Sequence, residues 1–131
     1  MTTSDREKKA ITTFVNVFGG SYQKQGSTDV DYKIFDKDKK LIAYADVEIV
    51  IRNIRNAYPL PISINKLYKL TAKRLNPVII WCCDDGIIYG KPNLLTGIVK
   101  LGAQNIELPE LTIYYEKEKS IRYVRFPTDS I

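Results

Sequence analysis

The sequence contains no histidine, and this absence removes several kinds of functional site at once. Histidine-based catalytic triads, histidine general bases and most zinc sites all require an imidazole ring. Catalysis by this chain would therefore have to use carboxylates, lysine, arginine, tyrosine, serine or cysteine.

Cysteine is also scarce, and the two that occur, Cys82 and Cys83, are adjacent. Neighbouring side chains in an extended strand point to opposite faces of the sheet, so these two sulfurs are badly placed to bond to each other. We expect both to be buried, reduced thiols, as free cysteines usually are.

Long apolar runs are missing as well. Without 18 consecutive apolar residues the chain has no candidate membrane span. Its first nine residues include five charged ones and lack an apolar core, which predicts that there is no signal peptide and that the protein is cytoplasmic, in the host cell if it is viral. With 131 residues, of which 44% are hydrophobic and 27% charged, we expect one globular domain over residues 1–131.

The charge balance is mildly basic. The net charge is +5 and the isoelectric point is about 9.1. This balance favours a polyanionic partner such as nucleic acid, although many proteins without such a partner share it.

Apolar periodicity predicts an α/β fold. Ser4 or Asp5 can cap a first helix that ends at Gly19-Gly20, and the run 78–83 is typical of a central strand buried on both faces. We expect residues 21–27 and 53–61 to be loops, residues 110–126 to close as a hairpin, and Leu67 and Tyr68 to be core. A mixed sheet of four or five strands with helices packed on it follows from the element order. The predicted helices span 4–18 and 63–75, and the predicted strands span 29–36, 41–52, 78–83, 87–90, 96–101, 110–115 and 121–126.

Acidic residues concentrate on the first predicted hairpin, 29–36 with 41–52. Along the second strand the odd positions are apolar, while Asp46 and Glu48 share the other face, about 7 Å apart. Asp29 and Asp31 have the same parity on the first strand, so one of them can lie nearby. Converging carboxylates are costly unless a cation offsets their charge, and oxygen ligands suit Mg²⁺ or Mn²⁺. The same alternation is also typical of the solvated face of a half-buried strand.

Basic residues follow in the second helix and at the end of the second strand. They can line a groove for a phosphate backbone, or they can simply form a solvated helix face. The candidates are Arg52, Arg55, Lys66, Lys69, Lys73 and Arg74.

The stretch Asp31-Tyr-Lys-Ile-Phe, a turn, and Leu41-Ile-Ala-Tyr-Ala-Asp-Val-Glu-Ile-Val resembles the core of the PD-(D/E)XK nuclease superfamily. That core has a helix, then a hairpin with Asp on its first strand and (Asp/Glu)-x-Lys on its second, then a helix and a buried strand. The similarity covers roughly residues 5–90 and extends to stretches that resemble small nuclease-like proteins of phages. It includes Tyr58-Pro-Leu-Pro, Lys66-Leu-Tyr-Lys69-Leu, Asn76-Pro-Val-Ile-Ile-Trp and Asp85-Gly-Ile-Ile-Tyr.

This resemblance implies a restriction-endonuclease-like mixed β-sheet flanked by helices and a Mg²⁺-dependent (or Mn²⁺-dependent) hydrolysis of DNA phosphodiesters. Asp31, Asp46 and Glu48 would hold the metal, with Asp29 as the substitute for Asp31. Small members of the superfamily often pair, so a homodimer is implied too.

Two registers of the motif fit. In the first, Asp46 is the acid and Glu48 occupies the lysine position, as in some restriction enzymes of the superfamily. In the second, Glu48 is the acid, Val50 occupies the lysine position, and Lys66 or Lys69 supplies the ammonium from the following helix. The missing in-line lysine departs from the pattern and leaves a second interpretation open, a nucleic-acid-binding or structural relative that does not cleave.

Overall fold

The computed structural model describes residues 2–26, 30–73, 75–92, 97–101 and 111–127. These residues form two α-helices, α1 (Thr3–Phe18) and α2 (Ile64–Ala72), and a short 3₁₀ helix at Ile54–Asn56. The strands are β1 (Ser21–Lys24), β2 (Tyr32–Phe35), β3 (Leu41–Ile49), β4 (Leu60–Ser63), β5 (Pro77–Cys82), β6 (Gly86–Gly90), β7 (Gly97–Leu101), β8 (Leu111–Tyr115) and β9 (Arg122–Arg125).

The strands form two sheets in a mixed α/β fold. The larger sheet has the order β1-β2-β3-β5-β6-β9 and the smaller sheet the order β4-β8-β7. In the larger sheet β3 and β5 run parallel, while the other neighbours are antiparallel. No helix in the described part of the chain is long and apolar enough to cross a membrane.

Helix α1 covers one face of the larger sheet. Its buried residues Ile11 and Phe14 pack with Ala45 and Val47, which are odd-numbered residues of β3. Thr2 and Asp5 cap the helix reciprocally, with 3.1 Å from Asp5 N to Thr2 Oγ1 and 3.2 Å from Thr2 N to Asp5 Oδ2. The helix ends at Gly19, whose φ of 73° suits glycine. The predicted stop was therefore correct, but the cap is Thr2 rather than Ser4 or Asp5.

Helix α2 and the smaller sheet cover the opposite face. Leu60, Ile62 and Leu70 pack there with Trp81 of β5, and the indole Nε1 of Trp81 donates to the carbonyl of Pro61 at 2.7 Å. Strand β5 is thus buried on both faces, as its continuous apolar run predicted. Cys82 and Cys83 are buried free thiols, which also confirms the prediction.

The structure corrects the expected strand count and the expected closing hairpin. Strand β8 pairs with β4 and β7, whereas β9 pairs with β6 in the other sheet. Two strands separated by a short turn are typical of a hairpin in sequence, but here each strand pairs with strands from other parts of the chain. The segments 21–27 and 53–61, which were expected to be loops, contain β1 and the beginning of β4. Strand β1 was missed because it is a mostly exposed edge strand without alternating apolar residues, and β4 was missed because it contains Pro61.

Tyr68 is not core, contrary to the prediction. Tyr68 is 75% exposed to solvent, while Leu70, two positions further along α2, is fully buried. Residues two apart on a helix lie on nearly opposite sides, so only one of the pair can face the sheet.

Candidate active site

The predicted acidic cluster forms at the carboxyl-terminal half of β3. The even-numbered residues Asp46 and Glu48 share one face of this strand, and the odd-numbered residues Ala45 and Val47 face α1. Asp46 is only 2% exposed. A carboxylate so deeply placed in a sheet is unusual and needs compensating contacts.

Asp31 and Asp46 are joined by the hairpin itself. The Asp31 backbone N–H donates to Asp46 Oδ1 at 2.8 Å, and the Val47 N–H donates to Asp31 Oδ2 at 2.8 Å. Tyr32 lies opposite Ala45 in the β2–β3 register, which places Asp31 across from Asp46. These two backbone donors, one directly before β2 and one on β3, thus fix the positions of the two carboxylates relative to each other.

Lys66 brings a cation into the cluster from α2. Its Nζ lies 3.0 Å from Glu48 Oε1, and the Lys66 side chain remains 46% exposed. Ser63 caps the helix by accepting from the Lys66 N–H at 3.2 Å, which fixes the first turn from which the lysine extends. The geometry brings Lys66, rather than Lys69, to the carboxylates.

The electrostatics of the cluster show an excess of negative charge. Burial, together with the charges of Asp31 and Glu48, raises the pKa of Asp46 to about 7, although the hydrogen bond from Asp31 and the charge of Lys66 oppose this. For Lys66, burial alone lowers the pKa, but the attraction of Glu48, Asp31 and Asp46 outweighs it and the pKa is raised. One ammonium therefore does not neutralise these carboxylates.

Glu7 of α1 is a further acidic residue near the cluster, and the sequence analysis missed it. Burial and the neighbouring charge of Asp31 raise the pKa of Glu7, against the opposing effects of Lys24, Lys66 and a hydrogen bond with Tyr32. The same surroundings raise the pKa of Tyr32, through burial first and then through the charges of Glu7 and Asp31. A signal was present, because Glu7 precedes the buried residues Ala10 and Ile11 by three and four positions and so lies on the buried stripe of α1.

The other predicted residues lie around this cluster rather than in it. Lys69 is exposed on α2 and makes no hydrogen bond or ion pair with a described carboxylate. Lys73 caps the end of α2, with its Nζ 5.3 Å from the ring centroid of Tyr44. Arg52 and Arg55 are exposed beyond the end of β3. Asp29 and Arg74 lie outside the described residues.

Val50, at the in-line lysine position of the second register, is buried in the core between the larger sheet and α2. Its backbone N–H donates to the carbonyl of Cys82 at 2.9 Å. This position, directly after β3, is therefore used for packing, and the nearby ammonium comes from α2.

The donor chemistry of the cluster suits a hard divalent cation such as Mg²⁺ or Mn²⁺. The raised pKa of the buried Asp46 carboxyl indicates charge that such an ion would offset. No three carboxylates or thiols of the described residues already surround a single cation position. Because Glu48 holds Lys66 at 3.0 Å, an ion bound by all three acids would require that pair to open.

Comparisons of this chain with protein-family models, curated proteins and solved structures find no match.

Proposed function

We propose that this chain is a metal-dependent deoxyribonuclease with a restriction-endonuclease-like fold, which hydrolyses DNA phosphodiesters with Mg²⁺ or Mn²⁺. One observation carries the proposal. Asp31, Asp46 and Glu48 lie on one hairpin beside Lys66, whose ammonium reaches Glu48 from the next α-helix. The order of α1, the β2–β3 hairpin, α2 and the buried strand β5 also agrees with the order of elements in the PD-(D/E)XK core.

In this proposal Asp31, Asp46 and Glu48 hold the metal, and Glu7 adds negative charge at the edge of the site. When bound, the ion supplies Lewis-acid stabilisation of the charge that develops on the phosphoryl group and lowers the pKa of water. The backbone hydrogen bonds that hold Asp31 and Asp46 orient the carboxylate oxygens in advance. Such preorganisation is what makes an electrostatic site effective.

Lys66 takes the role of the missing in-line lysine. When Glu48 turns to the metal and the ion pair opens, the partly exposed ammonium of Lys66 is free to donate a hydrogen bond to a phosphoryl oxygen or to orient the attacking water. This corresponds to the second register of the motif, in which Glu48 is the acid and the strand position belongs to Val50.

The basic side chains around the cluster would position the nucleic acid. Arg52 and Arg55 lie beyond the carboxyl end of β3, and Lys69 and Lys73 lie along α2. Contacts of such side chains with phosphates contribute affinity without sequence preference. Together with the net charge of +5, they support a nucleic acid as the substrate, and the choice of DNA follows from the resemblance to the nuclease superfamily.

A second function, binding of nucleic acid without cleavage, is favoured by a different observation. The Lys66–Glu48 pair and the backbone hydrogen bonds to Asp31 and Asp46 already use one oxygen of each acid. If these contacts persist, the acids stabilise the fold and the protein is a degenerate relative with a structural or binding role.

Cleavage of supercoiled plasmid DNA tests the proposal. The wild-type protein should nick plasmid in Mg²⁺ but not in EDTA, and Glu48→Gln should lose about 100-fold or more in rate, the size expected for a group that stabilises transition-state charge. Asp38→Asn, in the exposed turn between β2 and β3, is the matched control and should cleave normally. Salt-sensitive DNA binding without metal-dependent cleavage would support the second function, and loss of both activities would leave only a structural role.

A further inference from the structure

A second cluster of functional side chains lines a cavity of about 310 Å³ between the 3₁₀ helix and the β8–β9 connection. The cavity combines tyrosine rings, aliphatic side chains and cations. Its lining includes Ile54, Arg55, Tyr58, Lys117, Tyr123 and Arg125.

The walls of this cavity are held in place by Asp85. Its Oδ1 accepts from the Ile54 N–H at 2.8 Å, and its Oδ2 lies 2.9 Å from Nη1 of Arg125. The guanidinium of Arg125 in turn lies 5.6 Å from the ring centroid of Tyr123. Ile54 is buried beneath, whereas Tyr123 is 59% exposed. A tyrosine ring is therefore presented to solvent beside an apolar floor.

The cavity also presents two basic side chains outside any ion pair of the described residues, although Glu116 and Glu118 flank Lys117 in the sequence. Asp85 compensates Arg125, but Arg55 and Lys117 form no ion pair with any described residue. An exposed aromatic ring next to two such cations is the combination that binds single-stranded nucleic acid, where bases stack on rings and phosphates meet cations.

The position of the cavity connects it with the candidate active site. The 3₁₀ helix follows β3, and the Asp84 N–H at the end of β5 donates to the carbonyl of Arg52 at 2.9 Å. The cavity therefore lies near the carboxyl ends of the parallel strands β3 and β5, the edge of an α/β sheet where ligands bind. From Glu48 to Ile54 the chain spans six residues, which is at most about 20 Å.

We propose that this cavity is a nucleotide subsite for a single-stranded segment of nucleic acid. An unpaired base stacks on Tyr123 over Ile54, and the adjoining phosphate contacts Arg55 and Lys117. Bases within a duplex have both faces covered by their neighbours, so the subsite selects a strand end, a flap or another unpaired stretch. This inference rests on the proposed action on nucleic acid and specifies its substrate class.

Binding of a fluorescein-labelled oligothymidine, followed by anisotropy in EDTA, tests the subsite without any cleavage. Tyr123→Ala should weaken binding about tenfold or more, as removal of a stacking platform does, while Tyr123→Phe should retain the affinity. Lys117→Ala should reduce the dependence of log affinity on log salt concentration by about 0.7, the value for one phosphate contact on a single strand.

Lys37→Ala is the matched charge control, since Lys37 is exposed in the turn before β3, at the other end of that strand. It should leave both the affinity and its salt dependence near wild type. Thermal melting checks that the Tyr123 variants remain folded.

Three results would overturn the subsite. Wild type and Tyr123→Ala could bind the oligonucleotide with equal affinity, or Lys37→Ala could reduce the salt dependence as much as Lys117→Ala does. The wild-type protein could also bind a blunt duplex more tightly than a single strand of the same length. The proposed nuclease is judged separately, by metal-dependent cleavage of plasmid. A failure of the subsite is therefore distinguishable from a failure of the nuclease.

Discussion

The ammonium of Lys66 lies 3.0 Å from Oε1 of Glu48. This pair joins the first turn of α2 to the face of β3 that carries Asp46. It places one positive charge among several carboxylates, and in the proposed mechanism it supplies from a helix the lysine that the strand lacks.

Replacement of Lys66 should separate catalysis from binding. Lys66→Met should lower kcat for DNA cleavage about 100-fold or more because, in the proposed mechanism, the ammonium acts on the reacting phosphate. Lys69→Met, three residues along the same helix, should mainly raise KM because the proposal gives Lys69 a contact with the DNA backbone alone. Steady-state kinetics on a plasmid or hairpin substrate distinguish the two, and equal losses of kcat in both variants would contradict the assigned role of Lys66.

The buried carboxyl of Asp46 should make the metal-free protein less stable as the pH rises. Its pKa is about 7 in the fold against an ordinary value of 3.8. Between these values the folded protein keeps a proton that the unfolded chain releases. The contribution of this carboxyl to the free energy of unfolding is therefore fully present below about pH 4 and is lost as the pH rises to 7. Asp46→Asn, which keeps an oxygen acceptor for the Asp31 N–H, should remove this loss and stabilise the protein at pH 8 by on the order of 2 kcal/mol.

Urea unfolding in EDTA at pH 5 and pH 8 measures this effect. Wild type should lose stability between the two pH values relative to Asp46→Asn. If the variant is the less stable protein at pH 8, the ionised carboxylate is favourable in the fold and the assignment of its raised pKa is wrong.

Divalent cations should offset the repulsion among the clustered carboxylates and so raise the free energy of unfolding. Because an ion that binds only the folded state stabilises it, Mn²⁺ at 100 times its dissociation constant should add about 2.7 kcal/mol to the free energy of unfolding. Asp46→Asn and Glu48→Gln should lose most of this gain, while the control Asp38→Asn, in the exposed β2–β3 turn, should keep it. Thermal melting with and without Mn²⁺ gives the comparison, and equal gains in all four proteins would place the ion elsewhere.

The adjacent free cysteines, Cys82 and Cys83, should be unreactive in the native protein. Burial raises the pKa of the Cys83 thiol to about 12. Burial also raises the pKa of the Cys82 thiol above its usual range. Since the thiolate is the reactive form, iodoacetamide at pH 8 should leave both unmodified until the protein is unfolded. Mass spectrometry of native and urea-treated protein checks this; rapid native alkylation would show that β5 opens readily.

Periodicity within single elements made much of the candidate site predictable. Alternation along β3 is enough to place Asp46 and Glu48 on one face, because successive side chains of any strand point to opposite sides. Periodicity left open whether Asp29 or Asp31 lies near Asp46, because the register of the hairpin shifts between Ile34 and Phe35, and only the structure places Asp31 opposite Asp46. The apolar stripe of α1 and its glycine stop are equally local features, so they too follow from the order of residues alone.

The pairing of distant segments was decided only by the tertiary structure. Lys66 and Lys69 are both lysines of one helix, and only the packing of α2 on the larger sheet selects Lys66 for Glu48. Glu7 likewise joins the cluster because α1 packs beside β3, more than 20 residues away. Strands β8 and β9 enter different sheets for the same reason. The sequence by itself determined which face of each element a residue occupies, because that depends on backbone geometry. Contacts between elements depend on how the faces fit together, and no local pattern encodes that fit.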